Sequence, residues 1–306
     1  MRAMAYTEYG EPQSLQLKDL PTPKLGPGEV LIRAERASVN PVDWKLMSGA
    51  LDPMMDTFFP VIPGWDVAGV VEAVGPDVPE LTPGDRVASY ARKDYVQGGT
   101  YAECVSVRAA DVAAIPEGVT FDTAAALPLA GLTALRTLET LGITAEDTLL
   151  IHAASGGVGH LASQLAVEVG ARVIGTASEA NHQRLRELGV EPVTYGDGLP
   201  ERVRLIAPEG VTAVADLVGG VAEESEAVLT ESGRFASIAD PTAVERGGHW
   251  VWVRPDGPRL RTLLEKSAQG RLTVDIDTAY PLEQAAHALE HNQRGARGKI
   301  LIDLTR

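Results

Sequence analysis

Cysteine is almost absent from this chain. With Cys104 as the single thiol among 306 residues, the protein has no internal disulfide, no thiolate cluster for a structural zinc and no Cys-x-x-Cys redox pair. Any redox chemistry must therefore come from a bound cofactor. Long apolar runs are missing as well. No stretch approaches the ~18 residues needed to span a bilayer, and the opening "MRAMAYTEYGEP" lacks the basic-flanked apolar core of a secretory signal. Basic residues are scarce too: 27 Lys and Arg against 42 Asp and Glu leave a net charge of -15. Such a field repels phosphate polymers and anionic lipid heads. These deficits argue against nucleic acid and membrane partners and lead to the expectation of a soluble, cytoplasmic protein.

What is present has two textures. At about 150 residues per domain the length suggests two domains. The first third reads as short strands, "EVLIRAERASV", "DVAGVVEAVG" and "DRVASY", separated by turns such as "LGPGE" and "LTPGD". That pattern predicts a β-rich, barrel-like domain. From about Asp122 apolar strands alternate with helical periods: "TLLIHAA", a helix over 157–169, "RVIGTAS", "ANHQRLRELG", "TAVADLVGG" and "GRFASIA". Strand and helix in turn predict a doubly wound parallel sheet. After about Gly270 come "RLTVDIDTAY", a helix over 281–292 and a last strand "GKILIDL", a tail too short to be a third domain. The expectation is an α/β chain in which 1–121 and 268–306 form the β-rich domain and 122–267 the parallel-sheet domain.

Between them, "TLLIHAA", "SGGVG" and "HLASQLAVEVG" give strand, glycine turn and helix. This order presents the partial positive charge and unpaired N–H groups of a helix N-terminus to a pyrophosphate. The usual fingerprint has a glycine where this chain has Ala154. In the alternative spacing Ala153, Gly156 and Gly159 form Ala-x-x-Gly-x-x-Gly, the methyl group being accommodated by a slightly wider first turn. Gly156 would admit the phosphates and Gly159 would let helix and strand pack, with Ser155, Gly157 and Val158 completing the cradle. The alternative is a bare structural turn. About 20 positions on, where a carboxylate would bind the ribose of NAD, stands Ser178, a hydroxyl able to donate to a 2′-phosphate. Asn181, Arg184 and Tyr195 lie where they could add donors or charge, although Glu179 follows directly. NADPH is the expected cofactor; capping of a helix starting at Glu179 is the other role open to Ser178.

The chain resembles the medium-chain dehydrogenase/reductase superfamily, in its zinc-free quinone-oxidoreductase-like branch. The resemblance rests on "GEVLIRAERASVNPVDWKLMSG", "PVIPGWDVAGVVEAVGPDV", "GDRV", "GGTYAEC", "AAALPLAGLTALRTL", "HAASGGVG" and "RGARGKILIDL", in order over nearly the whole length. It implies a GroES-like substrate domain with a Rossmann cofactor domain, a cleft between them and a homodimer. Zinc members of the superfamily carry Val-Cys-x-Thr-Asp-x-His where this chain reads "VNPVDWK", so Asn40, Val42 and Lys45 take the cysteine, threonine and histidine positions. Where those relatives read Gly-His-Glu, this chain reads "GWD", with Trp65 at the second ligand. No metal site is expected, and the reaction is read as hydride transfer by positioning.

By the same resemblance, Thr133 would bond the nicotinamide carboxamide while Leu129 and Gly131 shape the seat of the ring; Thr133 satisfied within its helix is the alternative. Asn40 is the candidate catalytic donor to a developing oxyanion, although Asn-Pro pairs often simply make turns. Lys45 is the second catalytic candidate, as proton donor or anion contact, and Asp43 reads as a partner for a backbone or basic group. Arg297 would meet the cofactor or a carboxylate, Tyr101 the cleft or the core, and Cys104 the core. Glu283, His287 and His291 read as a solvated helix face. The implied activity is NADPH-dependent reduction of a small quinone or α,β-unsaturated carbonyl. Two other readings stand beside it: an enoyl-thioester reductase, for which Lys45, Arg92 and Lys93 would supply the basic entrance, and a protein that binds NADPH without turnover.

Overall fold

The computed structural model describes residues 1–305, which divide into two compact units. The first comprises Met1–Leu132 with the chain from Arg254 onward, and the second Thr133–Val253. Against the boundaries drawn from the sequence, 121/122 and 267/268, the contacts place residues 122–132 and 254–267 with the first unit. Local packing explains both. Helix α2 (Phe121–Ala126) lies against the strands Glu29–Val39, Asp66–Val74 and Lys299–Asp303. Arg36 fixes it there, its guanidinium bonding Asp122 at 2.6 Å and Asp303 at 2.7 Å. The helix Gly257–Ala268 packs on the Val112–Ala114 strand, so closely that a Cβ on Gly257 would stand 2.6 Å from the carbonyls of Ala110 and Val112.

The first unit is built on a seven-stranded sheet. Its axis is the long strand Glu29–Val39, which pairs antiparallel with Asp66–Val74 along one edge. The other edge is shared: Glu29–Arg33 pairs with Cys104–Arg108, and Arg36–Val39 with Lys299–Asp303. Alternation along Glu29–Val39 turns Val30, Ile32 and Ala34 into a core with Val67, Val71, Val87, Val105 and Val107. The predicted 281–292 helix is shorter than expected. The strand Ile276–Pro281 runs through its start, a 3-10 turn occupies Leu282–Gln284, and the α-helix covers Ala285–Arg294. Cys104 opens its strand half-buried, not in the core.

The second unit is a six-stranded sheet, parallel throughout, as the strand–helix alternation predicts. Its order is Glu191–Thr194, Arg172–Ala177, Thr148–Ile151, Val211–Asp216, Leu229–Ser237, His249–Trp250. The chain starts at Thr148–Ile151, works outward to Glu191–Thr194, then returns to continue on the other side. The order therefore reverses between Thr148–Ile151 and Val211–Asp216, and a doubly wound sheet binds ligands beyond the carboxyl ends of its strands at such a reversal. No helix among the described residues is long and apolar enough to cross a membrane.

Candidate functional site

The turn at the reversal point joins Thr148–Ile151 to helix α4 (Gly157–Val169). It is pinned to the neighbouring strand by Thr176, whose hydroxyl accepts from the Ala153 N–H at 2.9 Å and whose carbonyl accepts from the Ala154 N–H at 3.0 Å. Ala153 has φ 53°, the left-handed region that favours glycine. The alanine that stands in the glycine's place in this spacing thus adopts the strained conformation itself. Gly156 and Gly157 are exposed, Ser155 and Val158 half-buried. A Cβ on Gly156 would meet only the Ala153 carbonyl, at 3.3 Å, whereas one on Gly159 would stand 2.1 Å from that oxygen and 2.7 Å from Ala154 Cα. Gly159 is thus the close contact of helix on turn, and Gly156 is an open approach to the first N–H groups of α4, which lack intrahelical acceptors.

At the end of the next strand, Ser178 is half-buried and makes no cap bond; its hydroxyl accepts from the Asn181 amide at 3.1 Å. The helix expected from Glu179 begins as a 3-10 turn, Glu179–Asn181, and becomes α-helical over His182–Glu187. Arg184 lies on that helix, its guanidinium 3.3 Å from His160 Nδ1. The register of Ala177 opposite Thr194 sets Ser178 beside Tyr195, which is 60% exposed. Ser178 and Tyr195 thus stand at neighbouring strand ends, with Glu179 next to Ser178, Asn181 bonded to it and Arg184 on the helix that follows. Thr133 lies on α3 (Pro128–Leu141), a helix that also carries the half-buried Leu129 and the buried Gly131. Its hydroxyl is buried without a hydrogen-bond partner, so it is not satisfied within the helix.

In the first unit, the Asn40 to Lys45 stretch leads into a cluster that the sequence reading did not assemble. Asn40 caps the short helix α1 (Pro41–Met47), with Asp43 reciprocating as a capping box. The Asn40 amide nitrogen donates to Asp66 at 2.8 Å, and its carbonyl oxygen accepts from Lys299 at 2.5 Å. Asp66 also accepts from the Ser38 hydroxyl and from the Leu129 N–H, each at 2.8 Å. Asp43 accepts from the Asn40 N–H at 2.8 Å and from the Tyr101 hydroxyl at 2.9 Å. All six residues are at most 5% exposed. Two carboxyls thus share one ammonium away from water. Burial pushes Asp43 up to about 7, raises Asp66 against the pull of Lys299 and its donors, and lowers Lys299.

The geometry alters several expectations. Asn40 does not present its amide outward, because Asp66 and Lys299 hold it. Tyr101 is core and bonded to Asp43. Lys45 is exposed, its ammonium 5.6 Å from the Trp44 ring centre, and takes no part in the cluster. Arg297 is exposed, its backbone N–H bonded to Asp277 at 2.9 Å. His291 bonds the Tyr280 hydroxyl at 3.2 Å while His287 is exposed, and no group of three His, Cys, Asp or Glu side chains among the described residues could hold a metal. Lys299 was missed because its strand read as purely apolar; one lysine inside "GKILIDL" was the only signal.

Comparison with known proteins agrees with this architecture. Residues 26–117 match the alcohol dehydrogenase GroES-like domain, and residues 188–302 a family described as zinc-binding dehydrogenase. A chloroplast envelope quinone oxidoreductase homolog from Arabidopsis thaliana is 32% identical, over 99% of this chain and 98% of its own. The 2-methylene-furan-3-one reductase of Solanum lycopersicum is also 32% identical, over 99% of this chain and 79% of its own. The chain belongs to the quinone oxidoreductase family of the medium-chain dehydrogenase/reductases. A mycobacterial structure complexed with NADPH superposes with a TM-score of 0.85 at 30% identity, covering 99% of this chain and 100% of the other. The protein is accordingly an oxidoreductase.

Two outcomes follow from these sites. In the turn, two exchanges between glycine and alanine should have opposite signs. Ala153→Gly relieves a left-handed alanine and should raise stability by about 0.5–1 kcal/mol, while Gly159→Ala should cost roughly 2–3 kcal/mol through overlap with the Ala153 carbonyl. Denaturant titration of both variants checks this. In the cluster, Asp43 is a neutral acid in the folded protein below about pH 7 but ionises near pH 4 when unfolded. The folded state then binds the extra proton between those values, so stability should fall as pH rises from about 4 to 7. Asp43→Asn should flatten that slope in stability measured across the same range, and an unchanged slope would contradict the assignment.

Proposed function

We propose that this oxidoreductase is NADPH-dependent and zinc-independent, reduces a quinone or an α,β-unsaturated carbonyl, and works as a cytoplasmic homodimer. The observation that carries the cofactor reading is the second unit's turn: an exposed Gly156–Gly157 helix start at the sheet's reversal point, flanked by four polar side chains where NAD binders have a carboxylate. The NADPH complex of the mycobacterial relative supports it.

When bound, the dinucleotide supplies a hydride to the electron-poor carbon of a conjugated acceptor. The protein's part begins at α4, whose first N–H groups would hold the pyrophosphate at the turn of Gly156 and Gly157, with Ala153, Ser155, Val158 and Gly159 shaping the backbone there. Ser178, Asn181, Arg184 and Tyr195 would supply hydroxyls, an amide and a cation to the 2′-phosphate. The Thr133 hydroxyl, buried without a partner, is suited to the nicotinamide carboxamide, beside Leu129 and Gly131 on the same helix. A buried hydroxyl left unpaired costs roughly 1–3 kcal/mol, which a ligand at that point would offset.

In the first unit, Asn40 holds the Asp66 and Lys299 cluster through one amide N–H and its carbonyl oxygen, and its second N–H is the candidate donor to a substrate oxygen. Lys45, exposed on α1, is the side chain there able to supply a proton or meet an anionic group. Zinc independence is supported by the residues at the two positions where the resemblance would put metal ligands, an amide whose oxygen bonds the Lys299 ammonium and an indole, neither of which suits the metal. The quinone reading follows the Arabidopsis relative; the enone reading follows the tomato reductase, and both acceptors have the same electronic demand for hydride at a conjugated carbon.

The test is anaerobic NADPH oxidation with 1,4-benzoquinone and with a simple enone, run beside NADH and repeated after exhaustive dialysis against a chelator. Turnover with at least one acceptor, faster with NADPH and retained after chelation, is the expected result. Activity lost on chelation and restored by zinc would overturn the metal-free reading, and preference for NADH would overturn the reading of Ser178 and Arg184.

A further inference from the structure

Between the strands Arg86–Tyr90 and Val96–Gly98, the segment 91–95 carries a cation that the fold leaves poorly satisfied. Arg92 has a side chain only 13% exposed, yet its nearest carboxylate, Asp94, stands 3.9 Å away and is itself 84% exposed. The guanidinium reaches the Lys93 carbonyl at 3.5 Å, the outer limit of a hydrogen bond, and its Nε is buried with no partner. An arginine cannot shed its charge to escape this position, and buried charges are ordinarily paired. Lys93 adds a second cation, half-buried, with its pKa lowered by that burial, 6.0 Å from the Tyr95 ring centre. Tyr95 in turn meets Phe58 edge to face at 5.8 Å, and both rings are exposed, at 40% and 51%. Arg92 also exerts its charge on Tyr90, whose ring packs against Trp65 at 6.0 Å.

We propose that Arg92, with Lys93 beside it, is an oxyanion-binding site in the first unit, which selects acceptors carrying a carboxylate-like group next to a flat ring. A guanidinium fork offers two parallel N–H groups to a planar oxyanion, and the Phe58 and Tyr95 rings offer apolar faces for the ring that bears it. The chain's overall charge of -15 makes a local cation necessary for any anionic ligand to be held. A phosphorylated carrier arm would ask for several spaced cations; one fork and one ammonium fit a single small oxyanion better.

The proposal rests on the quinone or enone reading for its kinetic arm and stands without it for its binding arm. The probes are 1,4-naphthoquinone and 1,4-naphthoquinone-2-sulfonate, compared in the wild-type protein, Arg92→Met and Arg92→Lys. In Arg92→Met the ratio of kcat/KM for the sulfonate to that for the neutral quinone should fall about tenfold or more, and Arg92→Lys should lie between. Calorimetric titration of the sulfonate without NADPH should show the same loss of affinity. The melting temperature of Arg92→Met should not drop, because a poorly paired buried charge is removed. A ratio that does not change, or a uniform fall accompanied by a lower melting temperature, would show Arg92 to be a structural brace and overturn the site. If the wild-type protein reduces neither quinone, the activity reading fails and calorimetry alone decides. Equal binding of the sulfonate to wild type and Arg92→Met then overturns the proposal.

Discussion

A buried carboxylate must be satisfied on every side, and in this protein that constraint falls on Asp66. It has no exposure to water, so its two oxygens draw donors from wherever the chain can bring them. Ser38 comes from the end of the long central strand, Asn40 from the cap of α1 and the Leu129 N–H from the start of α3. The Lys299 ammonium, 4.0 Å from Asp66, comes from the last strand and bonds Asn40 across 259 residues of sequence. Removing one partner of such a cluster leaves a charge uncompensated, at a cost of about 3–5 kcal/mol. The return of the C-terminal strand to the first unit is therefore an electrostatic requirement as well as a matter of sheet pairing.

The cluster also sets the state of its second carboxyl. The first unit places the Lys299 ammonium against the Asn40 amide oxygen, with Asp66 as the carboxylate next to it. Asp43 takes the consequence, since its carboxyl is left with two neutral donors and a raised affinity for protons. In the second unit the governing contact is smaller. Thr176 holds the turn with both its hydroxyl and its carbonyl, which lets an alanine persist in a conformation that glycine would adopt without strain.

Much of this was legible in the sequence, for reasons that can be named. The parallel sheet followed from alternating strand and helix periods, and the strand–turn–helix at Ile151 to Gly159 from glycines whose spacing reflects a tight packing contact. Period and turn chemistry are local, so a sequence carries them openly. Long-range polar pairing is not local. Asn40 read as a free amide because nothing nearby announced Lys299, and Tyr101 read equally well as cleft or core until Asp43 was seen to accept its hydroxyl. The ends of the short helices also escaped, because 3-10 turns at Glu179 and Leu282 use the same residues as the α-helices they precede. Arg92 read from the sequence only as one of three cations of a basic entrance, with Lys45 and Lys93; its poor partnering in the folded chain is what distinguishes it from a surface arginine.

In the proposed reaction this chain holds NADPH in one fixed orientation and passes its hydride to a conjugated acceptor. The most direct test uses NADPH deuterated stereospecifically at C4, in its two diastereomers, with the mass of the NADP+ formed on reduction of 1,4-benzoquinone as the readout. Complete loss of deuterium from one diastereomer and complete retention from the other is the expected result, whatever step limits the rate. Equal loss from both would mean that the nicotinamide is not held by the protein during oxidation, and would contradict the claim.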